Sequence, residues 1–167
     1  SLVTRSADAL RQARRELDEH VTFHQFTQHV FFAQWSAVRA YANERGIRIV
    51  GDIPFYVALD SADVWGHPRN FAVNQQTGEM LLIGGVPPDY VSETGQLWSV
   101  PVYNWRHLEE TGFAWWVERF RKLLKLVDVI RIDHFRGFAA YWQVPQGGRT
   151  AVEGEWIDAP GRPCSQR

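Results

Sequence analysis

Val127-Asp128-Val129-Ile130-Arg131-Ile132-Asp133 (VDVIRID, residues 127–133) is the stretch whose reading decides the fold. A β-strand turns successive side chains to opposite faces, so Val127, Val129, Arg131 and Asp133 share one face while Asp128, Ile130 and Ile132 share the other. The Ile130–Ile132 face can pack beneath helices, which leaves Arg131 and Asp133 pointing the other way. Just upstream, Trp116, Phe120, Leu123, Leu124 and Val127 recur at helical spacing and predict a helix from about residue 113 onward. Further upstream the same order occurs again. Phe31, Trp35, Val38 and Ala42, with Phe32 beside them, mark one face of a helix over 29–45, and Gly46 follows where a C-cap glycine belongs. Residues 47–50 (IRIV) then read as a short buried strand that stops at Gly51-Asp52.

Helix, strand, long loop, helix, strand is the order of a parallel α/β protein with helical crossovers, and either a doubly wound sheet or a barrel satisfies it. Between the first strand and the second helix lie roughly sixty residues punctuated by Pro54, Pro68, Pro87, Pro88 and Pro101. Connections in such folds are usually about 2 to 6 residues, and a long loop of this kind is usually functional. In a (β/α)8 barrel the loops after the strands build the active-site face, onto which Asp52 and Asp133 would both open.

The composition narrows the function classes. The 167 residues carry a formal net charge of −1, which gives no reason to expect nucleic acid or an acidic membrane surface as partner. Eight Trp, five Tyr and ten Phe are many for this length; aromatic faces stack on sugar rings, although core filling accounts for most of them. The single cysteine, Cys164, allows no internal disulfide and fits a reducing, cytoplasmic setting. No run is apolar enough to span a bilayer, and residues 1–20 are too charged for a signal peptide. The only methionine is Met80, so Ser1 is expected to lie inside a longer reading frame.

Asp133 is the foremost candidate for chemistry, because a carboxylate at a strand end beside an arginine on the same face is held ionised and available as a nucleophile. A structural Arg131–Asp133 ion pair explains the same spacing. Asp52 follows the earlier strand, but Gly-Asp is also ordinary turn chemistry, and the turn is the reading its residues favour. His134 could bond a substrate hydroxyl or serve as a structural group. His20, His24, His29, His67, His107 and His134 form no HExxH pattern, so no zinc site is expected. The phosphate-loop, dinucleotide and GxSxG fingerprints do not occur.

The stretches GDIPFYVALDSADVW (51–65), GGVPPDYVSETGQLW (84–98) and RIDHFRGFAAYW (131–142) resemble those of amylomaltases, the 4-α-glucanotransferases also called disproportionating enzymes. The likeness runs from about His24 to Gly161. It implies a fragment of a (β/α)8 TIM barrel with a long inserted βα loop, residues 1–167 supplying middle strands and helices with both ends truncated. It also implies a retaining double displacement on maltooligosaccharides and α-1,4-glucans, with no cofactor. Asp133 would form the covalent glycosyl intermediate, Arg131 would hold its carboxylate and His134 would touch the donor sugar. Asp52, Tyr90, Gln96 and Trp98 would line the cleft, the last three from an overhanging loop. The general acid, a glutamate in the family, would follow a later strand beyond residue 167; Glu153 and Glu155 read as solvated loop charges. An α-amylase-like hydrolase and a catalytically silent glucan-binding fragment remain as alternatives. Four departures stand out. Val91 replaces a usual aromatic, Ser99-Val100 a common Gly-Asn, Asn104 a common aspartate, and the tail after Gly161 leaves the pattern.

Overall fold

The computed structural model describes residues 1–161, so the departure of the tail after Gly161, and Cys164 with it, lies outside the described residues. The chain divides into two units. One comprises Ser1–Asp52 and Phe120–Arg131, the other Ile53–Arg119 and Ile132 onward.

The first unit holds helices α1 (Ala7–Glu16) and α2 (Asp18–Glu44), the end of α5 (Ala114–Leu124), and the starts of strands β1 (Val50–Pro54) and β4 (Val129–Asp133). Helix α2 ends as its sequence indicates. Gly46 takes φ +72°, its N–H reaches Asn43 O at 2.9 Å, and the Ile47 N–H reaches Ala42 O at 3.0 Å. This is a Schellman closure, for which a glycine at the left-handed position costs least. The covered stripe of α2 differs from the expected one. Trp35, Arg39 and Ala42 are partly covered, whereas Phe31 and Val38 stay about half exposed. Hydrogen bonding selects the stripe: Trp35 Nε1 donates to Leu126 O at 2.7 Å, and Arg39 Nη1 donates to Lys125 O at 2.8 Å and Leu124 O at 3.2 Å. The Asp128 carboxylate accepts from Arg39, Asn43 and the Ile49 N–H.

In the same unit β4 pairs with β1, the N–H groups of Asp128 and Val129 both reaching Ile49 O. That pairing sets the bounds of β1, which begins at Val50 rather than Ile47 and passes through Gly51 and Asp52 without turning. The Gly-Asp turn reading is therefore corrected, and Gly51 has a packing reason instead: a Cβ there would lie 2.9 Å from the methyls of Val127. Along β4 the alternation is as expected, with Ile130 and Ile132 partly covered and Val129, Arg131 and Asp133 exposed.

The second unit contains what was expected to be a loop. Residues 53–112 include helix α3 (Ala62–Gly66), strands β2 (Leu82–Val86) and β3 (Gln96–Pro101), and helix α4 (Trp105–Glu110). With β5 (Ala140–Pro145) and β6 (Glu155–Asp158) they make a four-stranded antiparallel sheet in the order β3-β2-β5-β6, so the larger sheet is not parallel. Glu155 lies within β6 opposite Gln143, not in a loop. The core beside this sheet is aromatic. The buried Phe55 ring has Tyr56, Tyr103, Trp116 and Phe138 within 4.8–5.6 Å, centroid to centroid. The Tyr103 hydroxyl donates to Phe55 O, and Arg119 reaches Phe55 O at 3.2 Å and Pro54 O at 3.0 Å. Chain carbonyls at the end of β1 thus keep their hydrogen bonds while the rings close around them.

Asn104 caps α4 by accepting from the His107 N–H at 3.3 Å, and its amide also donates to Arg69 O at 3.1 Å. An aspartate could make the first bond but not the second.

Candidate active site

The site residues fall into two groups. In the first unit Asp52 and Arg131 form an ion pair through Arg131 Nη1 and Asp52 Oδ2, both side chains 58% exposed. Asp52 stands in β1 and Arg131 in β4, so strand pairing brings the two charges together and exposure keeps both in water-like surroundings.

The second unit holds Asp133, the exposed last residue of β4. His134 follows with φ 55° and ψ 42°, a left-handed conformation that costs a non-glycine residue about 1 kcal/mol or more. The turn is continued by the Gly137 N–H, which reaches His134 O at 2.9 Å and opens a short 3-10 segment, Phe135–Phe138. This kink swings the imidazole into the aromatic core. Trp98 meets it edge-on at 4.8 Å and 88°, Tyr56 lies stacked at 6.3 Å and 28°, and Phe55 is edge-on at 6.0 Å. His134 Nε2 is buried with no hydrogen-bond partner among the described residues. Burial pushes the imidazole below its ordinary value of 6.5, the Asp133 carboxylate opposes that shift, and Arg136 adds to it. A neutral ring at pH 7 follows, able to donate or accept one hydrogen bond.

Trp98 reaches His134 because β3 is irregular. Between the pairs Ile83–Pro101 and Gly85–Leu97 the β3 side holds two more residues than β2, and Ser99 within that bulge has φ +54°. Bulges re-aim neighbouring side chains. Trp98 Nε1 donates to Gln96 Oε1 at 3.1 Å, so two of the expected sugar contacts are linked to each other and to His134. Tyr90 stands apart and fully exposed, with Val91 at 71% beside it. Their loop is tied from within. Asp89 Oδ1 accepts from the N–H groups of Val91 and Ser92 at 2.8 Å, Ser92 Oγ donates to Gly95 O at 2.7 Å, and the Ala151 N–H donates to Thr94 O at 3.0 Å. A braced tip with an exposed phenol can meet a ligand without first becoming ordered.

Sequence reasoning passed over Phe55 and Tyr56, although they follow Asp52 by only a few residues in a stretch it singled out. Their adjacency was the available signal. Among the described residues no group of three or more His, Cys, Asp or Glu could hold a metal ion, and no helix is long and apolar enough to cross a membrane.

The 4-alpha-glucanotransferase profile matches residues 1–166. The chain belongs to the 4-alpha-glucanotransferase family. Family members include the Synechocystis sp. 4-alpha-glucanotransferase, 55% identical over 158 residues that cover 95% of this chain and 31% of that one. The Thermus thermophilus 4-alpha-glucanotransferase is 52% identical over 163 residues, 98% of this chain and 32% of its own. Among solved structures, the amylomaltase from Streptococcus agalactiae in complex with acarbose superposes with a TM-score of 0.93 at 42% identity, over 96% of this chain and 32% of that protein. This chain therefore spans about a third of the length of the 4-alpha-glucanotransferases it matches. The mixed α/β arrangement described above is the one shared with the amylomaltase.

Proposed function

We propose that this chain carries the nucleophile half of a retaining 4-α-glucanotransferase acting on maltooligosaccharides and α-1,4-glucans, within a (β/α)8 barrel completed by further chain. One observation carries the reading: Asp133 ends β4 on its exposed face, directly before a strained, half-buried histidine. The family membership and the acarbose complex of the Streptococcus agalactiae relative support the substrate class.

In this reading an Asp133 carboxylate oxygen attacks the anomeric carbon of the donor. The glycosidic C–O bond breaks, and the departing 4-oxygen takes a proton from a carboxylic acid outside residues 1–167. The 4-hydroxyl of an acceptor glucan then attacks the same carbon, gives its proton to that second carboxylate, and releases Asp133. Two inversions preserve the α-linkage. Arg131 holds the nucleophile strand end electrostatically while pairing with Asp52, and His134 bonds a donor hydroxyl. Gln96 and Trp98 line the donor side. Tyr90 offers a stacking face to the acceptor, where water exclusion favours transfer over hydrolysis. No cofactor takes part, and a cytoplasmic setting belongs to the same proposal.

The test is product analysis of the full-length enzyme that contains this segment, incubated with maltotriose. Disproportionation gives glucose or maltose together with chains longer than maltotriose. Short products without longer chains would identify a hydrolase and overturn the reading.

A further inference from the structure

We propose that Tyr56 and Trp98 clamp the His134 imidazole in one orientation, Tyr56 through its ring face and Trp98 through its edge, so that Tyr56 is a positioning residue for glucan transfer. The inference rests on the reading of His134 as a donor-sugar contact.

Tyr103, Tyr56 and His134 form a continuous stack, the first two rings 5.8 Å apart at 16° and the last two 6.3 Å apart at 28°. The middle ring has little freedom. On one side it abuts the bare backbone of Gly84, where a Cβ would come within 3.0 Å of Tyr56 Cε2 and Cζ. Tyr103 behind it is anchored by its hydroxyl bond to Phe55 O. Trp98 closes the edge of the imidazole, stands 6.0 Å from Tyr56 at 60°, and is tied to Gln96. The His134 backbone sits in a left-handed conformation that its surroundings must impose, and this aromatic wall is what surrounds its side chain.

Tyr56 is only 7% exposed, and its hydroxyl is buried with no hydrogen-bond partner among the described residues. The hydroxyl therefore contributes no hydrogen bond among the described residues, and the ring is the part that acts. A fixed ring face against a neutral imidazole sets where its nitrogens point, the partnerless Nε2 among them, and a misplacement of about 1 Å at such a group can cost as much as ~10²-fold in rate.

The charged and titratable groups near His134 are Asp133, Arg136 and Tyr56, so His134 titration reads the clamp directly. The first arm records the His134 ring signals of the full-length enzyme by NMR from pH 5 to 8. Tyr56→Leu admits water to the imidazole and moves its titration up toward ~6.5, while Tyr56→Phe leaves it in place. Trp98→Leu, at a less buried position, gives the same upward movement if Tyr56→Leu does not fold. The second arm measures transfer in the full-length enzyme, where Tyr56→Leu lowers kcat by about tenfold or more with a smaller change in KM, and Tyr56→Phe restores it. An unmoved His134 titration in folded Tyr56→Leu or Trp98→Leu overturns the clamp whatever the enzyme does. A moved titration with unchanged kcat overturns the positioning role. A wild-type enzyme that produces no longer chains fails the glucanotransferase reading itself, and the titration arm then still decides the clamp.

Discussion

Asp128 and Arg39 meet side-on, Asp128 Oδ1 accepting from Nε at 3.0 Å and from Nη2 at 2.6 Å. The other carboxylate oxygen accepts from the Ile49 N–H and the Asn43 amide, each at 2.8 Å. The bond from the Ile49 N–H, then those from Asn43 and Arg39, hold the Asp128 carboxyl at about 2, below its ordinary 3.8. A carboxyl lowered on folding stabilises the fold fully above its unfolded value and loses that contribution as pH falls through the folded one. Wild type is expected to be more stable than Asp128→Asn at pH 6, and the gap to close between pH ~4 and ~2. Urea unfolding across that range checks it; a gap independent of pH contradicts it.

Ser99 carries a positive φ in the β3 bulge, a conformation that costs glycine least. Its side chain is exposed, so replacement removes backbone strain and little else. Ser99→Gly is expected to raise stability by up to about 1 kcal/mol, and Ser99→Val to lower it. Thermal melts of the two variants show opposite shifts if the φ is as described.

Gly137 stands against the Phe55 ring, where an added Cβ would lie 2.4 Å from Cε1. Phe55 is enclosed by Tyr56, Tyr103, Trp116 and Phe138 and cannot yield without moving them. Gly137→Ala is expected to cost about 1 to 3 kcal/mol, read as a lower urea midpoint with an unchanged slope. Because the same turn sets His134, its ring signals should shift as well.

What the sequence made legible is local. The strand alternation and the helical period from about residue 113 depend on neighbours in the chain, and both appear, although α5 stops at Leu124, β4 starts at Val129, and Val127, expected in both patterns, lies buried between them. The glycine closure of α2 is local too. Three things were not legible, each because a distant partner decides it. The bounds of β1 depend on which carbonyl accepts from Asp128 and Val129. The covered stripe of α2 depends on carbonyls at 124–126 that draw in Trp35 and Arg39. Strand β2, LIGGV, carries two glycines that weaken its β-propensity, and only pairing on both sides, with β3 and β5, makes it a strand. At the site, the strand period singled out Asp133 and drew attention to its neighbour His134, and the family resemblance added Trp98, but the contact between Trp98 and His134 needs the bulge, which no spacing rule reveals.

Asp133→Asn and Asp133→Ala in the full-length enzyme are expected to abolish transfer from maltotriose while oligosaccharide binding survives. Removing the proposed nucleophile would delete the proposed covalent path, whereas binding would come from stacking and hydroxyl bonds at other residues. Asp133 is exposed at its strand end, so neither variant opens a cavity. Calorimetric titration with maltooligosaccharide beside a transfer assay separates the two effects; near-normal transfer by either variant removes Asp133 from the mechanism.

Residues 1–167 alone are expected to leave maltotriose unchanged over long incubation. Transfer with retention needs two carboxyl groups about 5 to 5.5 Å apart, and the proposed second one comes from outside the described chain. Losing general acid assistance costs ~10²- to 10⁴-fold by itself. The helical surface acts in the same direction, because Phe23 at 61%, Phe26 at 63%, Phe31 at 50% and Val38 at 52% exposure put an apolar stripe of α2 in water. Large apolar side chains left in water favour self-association, so the isolated chain should elute early from a sizing column. Longer oligosaccharides formed by this chain, purified free of host enzyme, would require an acid within it, and Asp52, Asp60, Asp63, Asp89 and Glu93 are then the carboxylates to replace one at a time.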